Sequence, residues 1–302
     1  MALAENSESN LFPENAVPLA NWNGQEMPLD EVRVSVLDRA FLFGDAVYEA
    51  LRVYAGKAWL CAEHMARLQR SLQDMQIECE TDRLRERMLA TLEHSGVKDG
   101  LIYMQITRGV AARTHYFPPQ PTTPNELIYV QKFDSDPYAH LREAGAAVVT
   151  FPDFRWGRRD IKSVNLLANC FAAQAAREAD CTEAILVTPD GRLTEGSHTN
   201  LFGVKNGQVM TSPNGHHILP GITRGLVLRL AERASVPVIE EPLLAEKLQD
   251  VDELFLTGTT TEVLAVSSVD GNSIGTGTCG PVTEKLCQAY KDSVAEWLEA
   301  SM

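Results

Sequence analysis

Basic charge is what this 302-residue chain has least of: 27 Lys and Arg stand against 41 Asp and Glu, for a formal net charge of −14. Nucleic-acid binders normally present a basic surface, so the balance argues against one. No apolar run approaches the roughly 20 residues that cross a bilayer, and no membrane partner is expected. The opening Met1-Ala2-Leu3-Ala4-Glu5-Asn6 lacks the basic start and apolar stretch of a secretory signal, so a cytoplasmic location is expected. Cysteines at metal spacing are missing as well. Cys61, Cys79, Cys170, Cys181, Cys279 and Cys287 are scattered without a C-x-x-C pair, so they are read as reduced thiols and no metal is expected. Internal repeats, low-complexity tracts and long charge runs are also absent. With 44% hydrophobic residues the chain can bury a sizeable core. Its length predicts two domains of about 100–200 residues each.

Residues 1–20, rich in Glu, Asn and Ser, read as a flexible leader before a first ordered segment at Asn21-Trp22-Asn23-Gly24. An α/β domain is expected over 21–133, with strands at 46–54, 101–107 and 127–132. Between them, 63–75 and 82–94 carry apolar residues at helical spacing, as in Met65, Leu68, Leu72 and Met75. The stretch 134–141, with Asp134-Ser135-Asp136-Pro137, is the expected interdomain linker, and 142–302 the second domain. There a strand at 146–151 leads to a helix at about 163–179, then to short strands at 184–188, 192–194, 200–205 and 208–211. Pro189-Asp190-Gly191 and Asn206-Gly207 mark the hairpins between them. A closing amphipathic helix is expected at 282–300.

Lys162 lies in Arg158-Arg159-Asp160-Ile161-Lys162-Ser163, and Glu195 opens the turn Glu195-Gly196-Ser197-His198-Thr199-Asn200. Alone, the first reads as a surface lysine near a helix start and the second as a turn carboxylate. Together they are the two groups that pyridoxal phosphate chemistry needs most, an amine for a Schiff base and a carboxylate to keep a pyridine nitrogen protonated. A phosphate anchor has two candidates. Leu219-Pro220-Gly221-Ile222-Thr223-Arg224 precedes a helical run, so amides near Ile222 and Thr223 would face an anion. Thr257-Gly258-Thr259-Thr260-Thr261 follows an apolar strand with small residues able to surround a phosphate. Neither signal is specific by itself.

Combined with Phe43-Gly44-Asp45-Ala46-Val47-Tyr48-Glu49 and Glu63-His64-Met65-Ala66-Arg67-Leu68, these motifs match in order and spacing. From about Trp22 to the last helix the chain resembles the fold-type IV pyridoxal phosphate enzymes, and among them most the D-amino acid aminotransferases. The resemblance implies a smaller N-terminal α/β domain, a larger C-terminal domain with a β-barrel-like core, and pyridoxal 5′-phosphate between them. It implies Lys162 as the Schiff-base lysine and Glu195 as the partner of the pyridine nitrogen. Phosphate contacts would come from Arg67, Ile222, Thr223, Gly258 and Thr259, with Leu219 against the ring.

Arg113 and His115 alternate in a loop after the strand at 101–107, where an extended backbone would put both on one face to clamp a carboxylate. Taken alone they read as a mobile basic loop, and Tyr48 as a core aromatic. The resemblance makes Tyr48, Arg113 and His115 the substrate-carboxylate trap, with the loop reaching into a neighbouring subunit of a homodimer. It departs at Gly258 and at His198-Thr199, where serines are commoner. The implied activity is ping-pong transamination between a D-amino acid and a 2-oxo acid. The alternatives are a branched-chain L-amino acid or (R)-amine aminotransferase, and an aminodeoxychorismate lyase of the same fold type.

Overall fold

The computed structural model describes residues 17–119, 122–133 and 135–300. Most of the expected leader lies outside the described residues, but its last part does not fit: β1 already spans Leu19–Trp22. There Ala20 pairs with Tyr129, and a fixed sheet register leaves no freedom to the backbone.

The first half continues through β2 (Gln25–Pro28), α1 (Arg39–Phe43), β3 (Ala46–Tyr54), β4 (Lys57–Ala58), α2 (Cys61–Asp74), α3 (Thr81–Ser95), β5 (Gly100–Thr107) and β6 (Glu126–Lys132). Its six strands lie in the order β2-β1-β6-β5-β3-β4. Alternation along the strands divides the sheet's two faces. Val47, Leu51, Ile102, Met104 and Ile128 point to a core shared with Leu68, Leu72, Leu84 and Met88 of the two helices. Tyr48, Tyr103 and Tyr129 point the other way and stack in series, with ring centroids 5.6 and 5.0 Å apart.

The second half comprises β7 (Ala146–Pro152), α4 (Leu167–Glu178), β8 (Glu183–Val187), β9 (Leu193–Gly196), β10 (Asn200–Lys205), β11 (Gln208–Thr211), α5 (Ile222–Arg233), β12 (Val238–Glu240), β13 (Glu253–Gly258), β14 (Glu262–Val269), β15 (Asn272–Ser273) and α6 (Pro281–Ala300). Its main sheet runs β12-β11-β10-β13-β14-β7-β8-β9. The sheet curls until its ends meet. Leu193 N–H donates to Leu243 O at 2.8 Å and Ala245 N–H to Gly191 O at 2.9 Å, joining β9 to the chain that follows β12. Inside the curl Val148, Leu193, Leu201, Leu254, Leu264 and Val266 form one core. On the outside Phe202 and Phe255 stack at 4.8 Å and pack under α5 and α6. This is the expected fold, a helix-backed sheet followed by a larger barrel-like half.

The helix expected from residue 163 begins only at Leu167. Residues 162–164 instead pair with the free edge of β3: Tyr48 N–H donates to Lys162 O at 2.9 Å and Val164 N–H to Ala46 O at 3.2 Å. A backbone extended along a strand cannot also begin a helical turn, so Lys162 is held at the seam between the two sheets.

Candidate active site

Lys162, Tyr48, Glu195 and Leu219 line one cavity, together with Arg155, Trp156, Arg159, Asn169, His198 and Asn200. The Lys162 ammonium nitrogen stands 4.2 Å from the centroid of the Tyr48 ring. The seam pairing explains why: Ser163 bridges Val47, the residue before Tyr48.

Glu195, on β9, is 3% exposed. It accepts hydrogen bonds from Asn200 Nδ2 at 2.9 Å and from Leu219 N–H at 3.0 Å. A third comes from Arg155, which also grips Asp153 through Nε at 3.0 Å and Nη2 at 2.9 Å. Burial pushes the Glu195 carboxyl above its ordinary value, while the Arg155 charge and the Leu219 amide pull against that rise. Asn200 ties this carboxylate to the next part of the site. Its Nδ2 also donates to Leu219 O at 3.0 Å, and its Oδ1 occupies the space where a Cβ on Gly221 would stand, so only glycine fits there.

Gly221 is the N-cap of α5, and no side chain caps that helix. The first amides of a helix have no intrahelical acceptor and carry the positive end of its dipole. Beside it, Asn200 faces Thr257 across the β10–β13 register, at the start of the turn holding Gly258 and Thr259. Thr257 Oγ1 and Thr261 Oγ1 are buried without a hydrogen-bond partner. From the other half of the molecule, Arg67 on α2 donates from Nη1 to Pro220 O at 3.1 Å. Arg67 of α2, Ile222 and Thr223 of α5, and Gly258 and Thr259 next to Thr257 belong to three elements, with Arg67 reaching Pro220 and Thr257 facing Asn200 beside the start of α5. Uncapped amides, two unpartnered hydroxyls and a guanidinium are the donor set a phosphate requires. Among the described residues no cluster of His, Cys, Asp and Glu could hold a metal.

Arg113 and His115 are not brought to Lys162 within one chain. Both are exposed and pack on Phe43, Arg113 at 5.4 Å from the ring centroid and His115 at 5.7 Å between centroids. Sequence reasoning did not single out Arg155. A buried carboxylate needs a compensating cation, but nothing in local spacing says which arginine supplies it.

The turn that carries the site is itself anchored. Glu183, 1% exposed at the start of β8, accepts from Ser197 N–H at 3.0 Å, Thr199 Oγ1 at 2.9 Å and His198 Nδ1 at 3.0 Å. Burial pushes its carboxyl up, but the His198 charge and hydrogen bonds from His198, Ser197 and the Ala184 amide outweigh that and bring it down to about 2. Because the folded value is depressed, the stability it contributes is present above the ordinary carboxylate range and is lost as pH falls toward 2. Glu183→Gln is therefore expected to cost roughly 3 kcal/mol at neutral pH and progressively less on acidification. Urea titrations at neutral and acid pH check this, and a pH-independent difference would contradict it.

The sequence profile described as Amino-transferase class IV matches residues 46–269. The chain belongs to this family. It is 37% identical over 271 residues to a D-alanine aminotransferase of Staphylococcus aureus (strain N315), covering 89% of this chain and 95% of the relative. A D-alanine aminotransferase of Bacillus licheniformis is 37% identical over 278 residues, with 90% and 96% covered. Among solved structures, the branched-chain amino acid aminotransferase of Escherichia coli superposes with a TM-score of 0.85 at 27% identity, covering 91% of this chain and 94% of that one. The chain is therefore a class IV aminotransferase, an enzyme of the fold-type IV architecture. A second solved branched-chain amino acid aminotransferase, with a TM-score of 0.84 at 27% identity over 92% of this chain and 94% of that one, carries pyridoxamine 5′-phosphate.

Proposed function

We propose that this enzyme transfers an amino group between a D-amino acid and a 2-oxo acid with pyridoxal 5′-phosphate in the Lys162 cavity. One observation carries the reading: an amine and a buried carboxylate line one cavity at the seam of two sheets, and Asn200 on the same cavity joins that carboxylate to Gly221 at the uncapped start of α5. The D-alanine aminotransferases at 37% identity support the substrate hand. When bound, the cofactor supplies a carbonyl for amines and a ring that takes up the electrons of a broken Cα–H bond. Lys162 Nζ holds the cofactor and moves the Cα proton; Glu195 keeps the ring nitrogen protonated. Arg67, Ile222, Thr223, Gly258 and Thr259 hold the phosphate, and Leu219 packs on the ring. Tyr48 takes the substrate carboxylate with Arg113 and His115 of a second copy. Large apolar side chains lie bare on and beside that loop, including Val36 at 68% exposed, Phe41 at 72% and Tyr116 at 70%, as a homodimer surface requires. Segment 134–141, of which residue 134 lies outside the described residues, is the proposed link between the two domains, and the enzyme works in the cytoplasm.

The test is a half-reaction panel. D- and L-amino acids and (R)-amines are added separately to the holoenzyme while its cofactor absorbance is followed. D-alanine and other D-amino acids should convert the cofactor rapidly and their enantiomers orders of magnitude more slowly. Preference for L-leucine or L-valine over every D-amino acid would overturn the D-specific reading.

The same assay gives the expectation for Glu195. Glu195→Gln should slow the half-reaction about tenfold or more, equivalent to about 1.4 kcal/mol. Since Arg155 opposes the upward shift of Glu195, Arg155→Gln should move the acid limb of the pH profile to higher pH. An unchanged rate and an unchanged limb would reduce both residues to scaffolding.

A further inference from the structure

Glu49 lies on β3 at 0% exposure, on the face directed at α2. Its Oε1 accepts from Arg67 Nε at 2.7 Å and its Oε2 from Arg67 Nη2 at 2.8 Å. Oε2 also takes a hydrogen bond from His64 Nδ1 at 2.7 Å. His64 and Arg67 are three residues apart on α2, hence on one helix face. With Nε and Nη2 fixed, Nη1 is the arm left over, and it donates to Pro220 O, one residue before the α5 N-cap.

We propose that Glu49 is a positioning residue for phosphate: it locks Arg67 in the pose that carries one guanidinium arm from the first sheet's helix layer to the uncapped start of α5. The proposal rests on the cofactor reading above. A long arginine normally loses rotamer freedom when it meets an anion, and a guanidinium already held at two nitrogens has little left to lose. Charge cannot be the purpose of the pair, because the Glu49 carboxylate offsets the Arg67 charge. His64 completes the lock without adding charge. Desolvation favours its neutral form against the pull of Glu49, and Arg67 and Lys162 act in the same direction as burial. The cradle is therefore divided between the two halves of the molecule, with Arg67 from one and the α5 amides and the Thr257–Thr261 turn from the other.

The experiment titrates the full-length protein, stripped of cofactor, with pyridoxal 5′-phosphate and with pyridoxal, which lacks the phosphate. It compares the parent with Glu49→Gln, Arg67→Met and the double variant, and borohydride trapping at Lys162 reports the bond to the aldehyde. Glu49→Gln should weaken pyridoxal 5′-phosphate by about tenfold or more while leaving pyridoxal within about twofold. Because Glu49 acts through Arg67, its substitution should have no further effect in the Arg67→Met background. Should Glu49→Gln alone fail to fold with a buried unpaired arginine, the double variant against Arg67→Met still decides. Equal losses for both aldehydes, tighter phosphate binding without Glu49, or a continued loss in the Arg67→Met background would each overturn the proposal. A parent protein that traps neither aldehyde at Lys162 sinks the cofactor reading itself, and this proposal with it.

Discussion

Lys162→Ala is expected to lower turnover by about 10⁴-fold or more, since on the proposed mechanism it removes both the covalent attachment and the group that moves the Cα proton. The fold should survive. Lys162 is only half-buried, and the seam around it is held by backbone: Tyr48 N–H to Lys162 O and Val164 N–H to Ala46 O. Alanine keeps those bonds, so the cavity should still take up the cofactor weakly through the donors at the start of α5. Borohydride reduction followed by peptide mapping should place the pyridoxyl group of the parent protein on Lys162. A pyridoxyl group on any other lysine would remove the basis of the mechanism.

Arg113→Ala is expected to cost on the order of 2–5 kcal/mol in kcat/KM for amino acids, the range found when one partner of a desolvated charge pair is removed. Primary (R)-amines, which carry no carboxylate, should be affected far less. The same residue tests the shared site. Arg113 is exposed in its own chain and packs on Phe43 rather than lining the Lys162 cavity. On the proposed reading its effect is delivered to a second copy. Mixing inactive Lys162→Ala with the impaired Arg113→Ala should raise D-amino acid activity above that of Arg113→Ala alone through heterodimers, where one site receives both intact parts. If subunit exchange is demonstrated and activity does not rise, Arg113 does not serve a neighbouring site.

Much of the fold was legible where local pattern is strong. The strand at 46–54 has the bounds expected for it, as do the two strands flanking Asn206-Gly207. Asn206 and Gly207 both take positive φ, 51° and 75°, as a two-residue hairpin turn demands. Elements without such punctuation were missed. β14 carries the buried run Val263-Leu264-Ala265-Val266, and a strand covered on both faces shows no alternation to read. β12 owes its strand form to parallel pairing with β11, a partner that local sequence does not announce.

For the site, the sequence determined the chemical inventory: an amine at Lys162, a carboxylate at Glu195, a Gly-Ile-Thr helix start and a Thr-rich strand end, in a spacing shared with class IV aminotransferases. Short-range rules suffice for these, because helix starts, hairpins and motif spacing are properties of neighbouring residues. Tertiary structure alone decided the company they keep. Arg155 on Glu195, Asn200 between Glu195 and Gly221, and Glu49 behind Arg67 are pairings across 40, 5 and 18 positions, between separate elements. Sheet register and burial fix them, since a charge or amide taken out of water must find a partner wherever the packed strands place one.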